Sequence, residues 1–146
     1  MLPRKVLYAV FGSILTSCCG LQMATAAENY NSHADLEKAI LAGKDIHLTL
    51  DLAACFVHGT AKPGPSIRGS LHFDGYMIES DETIAFATTH FTVRPDNTAV
   101  DEFLSFKVSP LGKVSARTRV LNPSTFAVLR DVEFDCEIGK GIVFHW

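Results

Sequence analysis

Over residues 46–52 apolar and polar side chains take turns: Ile46, Leu48, Leu50 and Leu52 are separated by His47, Thr49 and Asp51. A period of two marks a strand with one buried face. Comparable runs recur at 70–78, 83–93, 100–108, 113–121, 126–134 and 141–146. Between them lie turn formers such as Ser80-Asp81-Glu82, Pro95-Asp96-Asn97, Pro110-Leu111-Gly112 and Asn122-Pro123-Ser124. Short strands joined by tight turns predict an antiparallel meander rather than parallel units with crossover helices. A different period appears once, ahead of the strands, where Leu36, Ala39, Ile40 and Ala42 fall at helical spacing. Ser32 can cap this segment, Asp35 stands where a capping acid would, and Gly43 can supply a left-handed stop. About ten residues of helix are not stable alone in water, so its apolar face must lie on the strands. The expected fold is α+β and mainly β: a short N-terminal helix packed on a strongly curved antiparallel sheet, or a small β-barrel, of about six to seven strands.

The segment 56–69 escapes both periods. It holds Gly59, Pro63, Gly64, Pro65 and Gly69 and reads as a long irregular loop over the sheet, the best candidate for a mobile segment.

Residues 1–26 have a separate logic. Arg4 and Lys5 precede an apolar run from Val6 to Leu21, and Ala24-Thr25-Ala26 has the small residues of an export cleavage site. The run is about 16 residues, short of the roughly 20 that span a bilayer. The expectation is a cleaved secretory leader at 1–26 and a single domain at 27–146, periplasmic or secreted, with no transmembrane segment in the mature chain. A rival processing route exists, since Leu15-Thr16-Ser17-Cys18 resembles a bacterial lipobox and would leave a lipid-anchored Cys18.

Composition then narrows the classes. With 146 residues, 47% hydrophobic and 20% charged, the chain suits one globular domain. A formal charge of −3, which becomes more negative once Arg4 and Lys5 leave, offers no cationic face to nucleic acid. Loss of the leader also removes Cys18 and Cys19. Cys55 and Cys136 remain, an even pair that in an exported domain reads as a disulfide. Closing a loop of roughly 80 residues stabilises by about 4.5 kcal/mol in the chain-entropy description.

Candidate chemistry is sparse. His47 and Asp51 share one strand face, His72 and Asp74 share another, and His90 lies in a third run, so a sheet face could gather imidazoles and carboxylates for metal or acid–base work. None has a recognised ligand spacing, and solvated strand faces are the stronger explanation of such residues, so the metal assignment stays open. The chain has neither a nucleophile elbow nor a phosphate-binding loop ending, and no cofactor is called for. The aromatics Phe73, Phe86, Phe106, Phe134 and Phe144 suit a core, although a curved sheet could leave an apolar cavity among them.

Asp35-Leu36-Glu37-Lys38-Ala39-Ile40-Leu41-Ala42-Gly43, Leu50-Asp51-Leu52-Ala53-Ala54-Cys55, Gly75-Tyr76-Met77-Ile78, Ile84-Ala85-Phe86, His90-Phe91-Thr92-Val93, Ser105-Phe106-Lys107-Val108, Leu111-Gly112-Lys113-Val114 and Cys136 together resemble the VirK family. The likeness spans about residues 33–146. The resemblance implies a small exported bacterial protein. The family's namesake, plasmid-borne in Agrobacterium, belongs to a virulence regulon switched on by plant wounds, which suggests a crown gall context. No reaction or catalytic residue comes with the family, so no active site carries over. The expectation is an accessory protein, not an enzyme, that binds an unidentified periplasmic or extracellular protein or small ligand. The alternatives are an envelope metal-binding protein or hydrolase built on the histidine and aspartate cluster, and a lipid-anchored structural protein.

Overall fold

A computed structural model of the chain describes residues 32–146. The leader, its cleavage site and Cys18 lie outside them.

The helix α1 runs His33–Leu41. Ser32 is its N-cap and accepts from the Asp35 amide at 3.1 Å, while Gly43 takes φ of +68° just past its end. Leu36, Ala39 and Ile40 are buried as one stripe of the common core. Two polar contacts fix the helix against the sheet: the His33 Nε2 nitrogen sits 2.8 Å from the Glu82 carbonyl, and the Tyr76 hydroxyl donates to the Ile40 carbonyl at 3.2 Å.

The strands are β1 (Ile46–Asp51), β2 (Phe56–Val57), β3 (Arg68–Phe73), β4 (Tyr76–Ile78), β5 (Ile84–Val93), β6 (Ala99–Val108), β7 (Lys113–Leu121), β8 (Val128–Ile138) and β9 (Gly141–His145). They form one sheet in the order β3-β1-β9-β8-β7-β6-β5-β4, with β2 pairing β8. The sheet curls into a nearly closed barrel in which Phe73 of β3 meets Phe86 of β5, ring centroids 4.9 Å apart. A mainly β fold with one short helix is as expected, but the strand count of six to seven is too low. The run 70–78 breaks at Asp74-Gly75, so that β3 pairs with β1 while β4 pairs with β5 at the opposite edge. A single alternating run therefore supplies both edges of the sheet, which period alone cannot reveal.

The meander holds from β4 to β8 and then fails. Gly139, Lys140 and Gly141 make a small loop in which both glycines have positive φ, and the chain continues one strand over, so that β9 lies parallel to β8. Gly141 is required there, since a Cβ would stand 2.7 Å from the Cys55 sulfur. The disulfide Cys55–Cys136 is formed and joins the stretch after β1 to β8. Among the described residues no helix is long and apolar enough to cross a membrane.

Candidate functional site

Alternation puts two kinds of residue on the inner face of the barrel. Near α1 the inward positions are Ile84 and Phe86 of β5, Phe106 and Val108 of β6, and Val114 and Ala116 of β7, all buried. Farther along the same strands the rows continue as Thr88 and His90, Leu104 and Glu102, and Thr118 and Val120, and β8 contributes Phe134, Val132 and Arg130. Here the barrel opens into a cup of about 550 Å³. Leu50, Leu71, Leu104, Phe106, Val132 and Phe134 make its apolar walls, and Thr88, His90, Glu102, Thr118 and Arg130 are its polar lining. Ligand sites typically hold roughly 300–1,000 Å³ and are apolar with a few placed polar groups.

His90 and Glu102 are register partners on β5 and β6, with Nε2 and Oε2 3.3 Å apart. Arg130 follows a bulge, where the β7–β8 register shifts between Val120 and Leu121. Bulges re-aim side chains at barrel rims. Among the described residues no carboxylate stands within ion-pair distance of Arg130. A half-buried apolar cup with a free guanidinium, a histidine–glutamate pair and two hydroxyls can hold an apolar body and hydrogen-bond a polar end. Such hydrogen bonds are strongest to an anion.

The segment 56–69 forms one wall of the cup through Pro65, Ile67, Arg68 and Gly69. It is fastened rather than loose. The Val57 amide donates to the Lys62 carbonyl at 2.8 Å, Gly64 to Cys55 at 2.9 Å, and Leu52 to Ile67 at 2.9 Å. Gly64 approaches the chain so closely that a Cβ would lie 2.2 Å from the Leu52 carbonyl oxygen. His58 completes the anchorage, its Nδ1 2.8 Å from an Asp135 carboxylate oxygen. That hydrogen bond, then the charges of Asp135 and Glu133, holds the imidazole above its ordinary pKa, and it lowers that of Asp135 in return.

The expected residues divide among three places. His47 and His72 are cross-strand partners on the outer face, and Asp74 sits beside His72, its carboxylate 3.3 Å from Nδ1. Asp51 is at the far end of β1, where it accepts from the Ala53 amide at 3.1 Å and pairs with Arg68 at 2.8 Å. His90 is on the inner face with Glu102. The five therefore do not form one cluster. Glu102, Arg130, Thr88 and Thr118 were not singled out from the sequence, although each occupies an inward position of an otherwise apolar row. Asp45 escaped for a different reason: it precedes β1 in a loop, yet its carboxylate bridges His47 at 3.2 Å and His72 at 2.5 Å.

The chain is 35% identical to the uncharacterized protein y4wH of Sinorhizobium fredii over 138 residues, covering 90% of this chain and 95% of that protein. It is 29% identical to an uncharacterized protein in the pinF2 3′ region of Rhizobium radiobacter, covering 90% and 96%. Among solved structures, lpg1832, a VirK family protein from Legionella pneumophila, superposes with a TM-score of 0.71 at 25% identity, over 80% of this chain and 97% of that one. The family model described as VirK protein matches residues 29–126. On that match the chain belongs to the VirK family.

Proposed function

We propose that the protein is an exported accessory factor of plant-associated virulence, in a crown gall setting, and that it acts by taking a small amphipathic ligand into the cup. The observation that carries the binding reading is the cup itself, an apolar hollow of about 550 Å³ with Arg130 at its rim. The walls suit a hydrocarbon or aromatic body, and the guanidinium suits a carboxylate or similar anionic end. Export rests on the leader pattern of residues 1–26 and on the disulfide, which persists in oxidising compartments.

Anilinonaphthalene sulfonate, an apolar dye with one anionic group, probes the cup directly. Its emission is expected to rise on mixing with the protein, to fit one site, and to be displaced by dodecanoate. Thr118→Phe should fill the cup and abolish the rise, and Arg130→Ala should weaken dodecanoate about tenfold, the worth of one charge-assisted hydrogen bond. A dye titration unchanged by Thr118→Phe would refute the cup as the site. Export is tested by the mass of the periplasmic protein, expected to begin at Ala27; an unprocessed cytoplasmic chain removes it.

A further inference from the structure

On the outer face of the barrel, β1 and β3 set two imidazoles face to face, and His72 also borders the cup. His47 and His72 are register partners, their ring centroids 4.9 Å apart and their planes inclined by 36°. The carboxylate of Asp45 lies between them, 3.2 Å from His47 Nε2 and 2.5 Å from His72 Nε2. One ligand atom from each of the three residues falls within a 4.8 Å span. Atoms held about 2.1 Å from a tetrahedral metal stand about 3.4 Å apart, so small rotations of exposed side chains suffice to close the set. The backbone positions need no adjustment, because the β1–β3 ladder fixes both histidines.

His72 has a further feature of a metal ligand. Its other ring nitrogen, Nδ1, stands 3.3 Å from the Asp74 carboxylate, the outer contact that orients a ligating imidazole and raises its basicity. A recess lined by Lys44, Asp45, His72, Asp74 and Tyr76 borders the cluster and leaves space beside it for water. A third histidine, His145, is the register partner of His47 on β9, but its Nε2 is engaged with the Thr49 hydroxyl at 3.2 Å.

We propose that Asp45, His47 and His72 form a binding site for a divalent transition-metal ion of the imidazole-preferring class, Zn²⁺ or Cu²⁺, with water completing the coordination. Two imidazoles and one carboxylate match the nitrogen and oxygen preferences of these ions, and soft thiolate-seeking metals have no sulfur here. The ion would bridge the loop after α1, β1 and the edge strand β3. The two sites share only His72, so the metal titration and the dye titration are read separately, with Thr118→Phe expected to affect the dye alone.

The test is calorimetric titration of ZnCl₂ and CuCl₂ into the untagged protein in a non-coordinating buffer, since an affinity tag would supply its own histidines. One equivalent is expected to bind in the micromolar range. His47→Ala and His72→Ala should each weaken it by about tenfold or more, and Asp45→Asn by several-fold. Imidazole nitrogen NMR should show Zn²⁺ shifting His47 and His72, with His145→Ala and His90→Ala binding as the parent does. All of these side chains are exposed or partly so, and matching thermal melts will show that the variants fold. Absence of heat, binding that survives the His47→Ala/His72→Ala double variant, or dependence on His145 in their place would overturn the site.

Discussion

The inner face of β5 carries Ile84 and Phe86 at one end and Thr88 and His90 at the other, and the two halves of the barrel have opposite characters. At the first end the rows are apolar and α1 joins the core: Leu36, Ile40, Ile84 and Val108 are almost wholly inaccessible to water. At the second the same rows turn polar, no α-helix among the described residues covers them, and a hollow remains. Both halves obey the same alternation and the same hydrogen-bond ladders. They differ in the cover of α1 and in which side chains fill the inward positions, so the strands act as a frame and the substitution of threonine, histidine, glutamate and arginine for aliphatics makes a site.

The sharpest way to break this contrast uses adjacent inward positions of one strand. Phe86→Ala should cost about 3–5 kcal/mol, because it opens a cavity among Phe73, Phe106 and Phe144 that nothing can refill. Thr88→Ala, one step along, should cost under about 1 kcal/mol, because its side chain borders space already open. Urea denaturation measures both, and comparable losses would mean the two halves are equally packed. A second pair reverses the operation. Val114→Phe adds bulk to a filled end and should destabilise by about 1–3 kcal/mol. Thr118→Phe, on the same face of β7, enters the cup and should change stability by less than about 1 kcal/mol while removing ligand capacity. If Thr118→Phe proved the costlier of the two, the hollow would be too small to matter.

How much of this was legible in the sequence follows from the range over which each signal acts. The helix and its stops were readable because Ser32, Asp35 and Gly43 act within one or two turns. Strand positions were readable from alternation, and the disulfide from an even pair of cysteines. The sidestep into β9 and the change of edge at Asp74-Gly75 were not, because each depends on which distant strand offers a free ladder. The same limit governs the candidate sites. Parity places His90 and Glu102 inside only once the inward face is known, and it would have marked Glu102 and Arg130 as polar intruders in the rows Val100, Leu104, Phe106 and Val132, Phe134, Cys136. Asp45 belongs to no periodic run, so only the folded position of its loop brings it to His47 and His72.

The smallest expected effect bears on the wall of the cup. The His58–Asp135 pair fastens the segment 56–69, so pH should act on that wall of the cup. The folded pKa of His58 is raised, so its contribution is complete below the ordinary histidine value of 6.5 and fades as pH rises through the elevated one. The folded pKa of Asp135 is lowered, so its share is complete above the ordinary aspartate value of 3.8 and fades as pH falls through the depressed one. The anchorage is therefore strongest between about pH 4 and 6.5. Both groups are solvent-exposed, and His58→Gln should lower Tm by only about one or two degrees at pH 5.5 and by less at pH 8.5. Hydrogen exchange reads the location as well as the size. Protection factors for residues 58–62 should fall between pH 6 and pH 8.5 in the parent and stay flat in His58→Gln. A loss of protection that reached α1 in the parent and vanished in His58→Gln would show that the cup wall and the closed end unfold as one unit, and the division of the barrel into two regions would then describe packing but not dynamics.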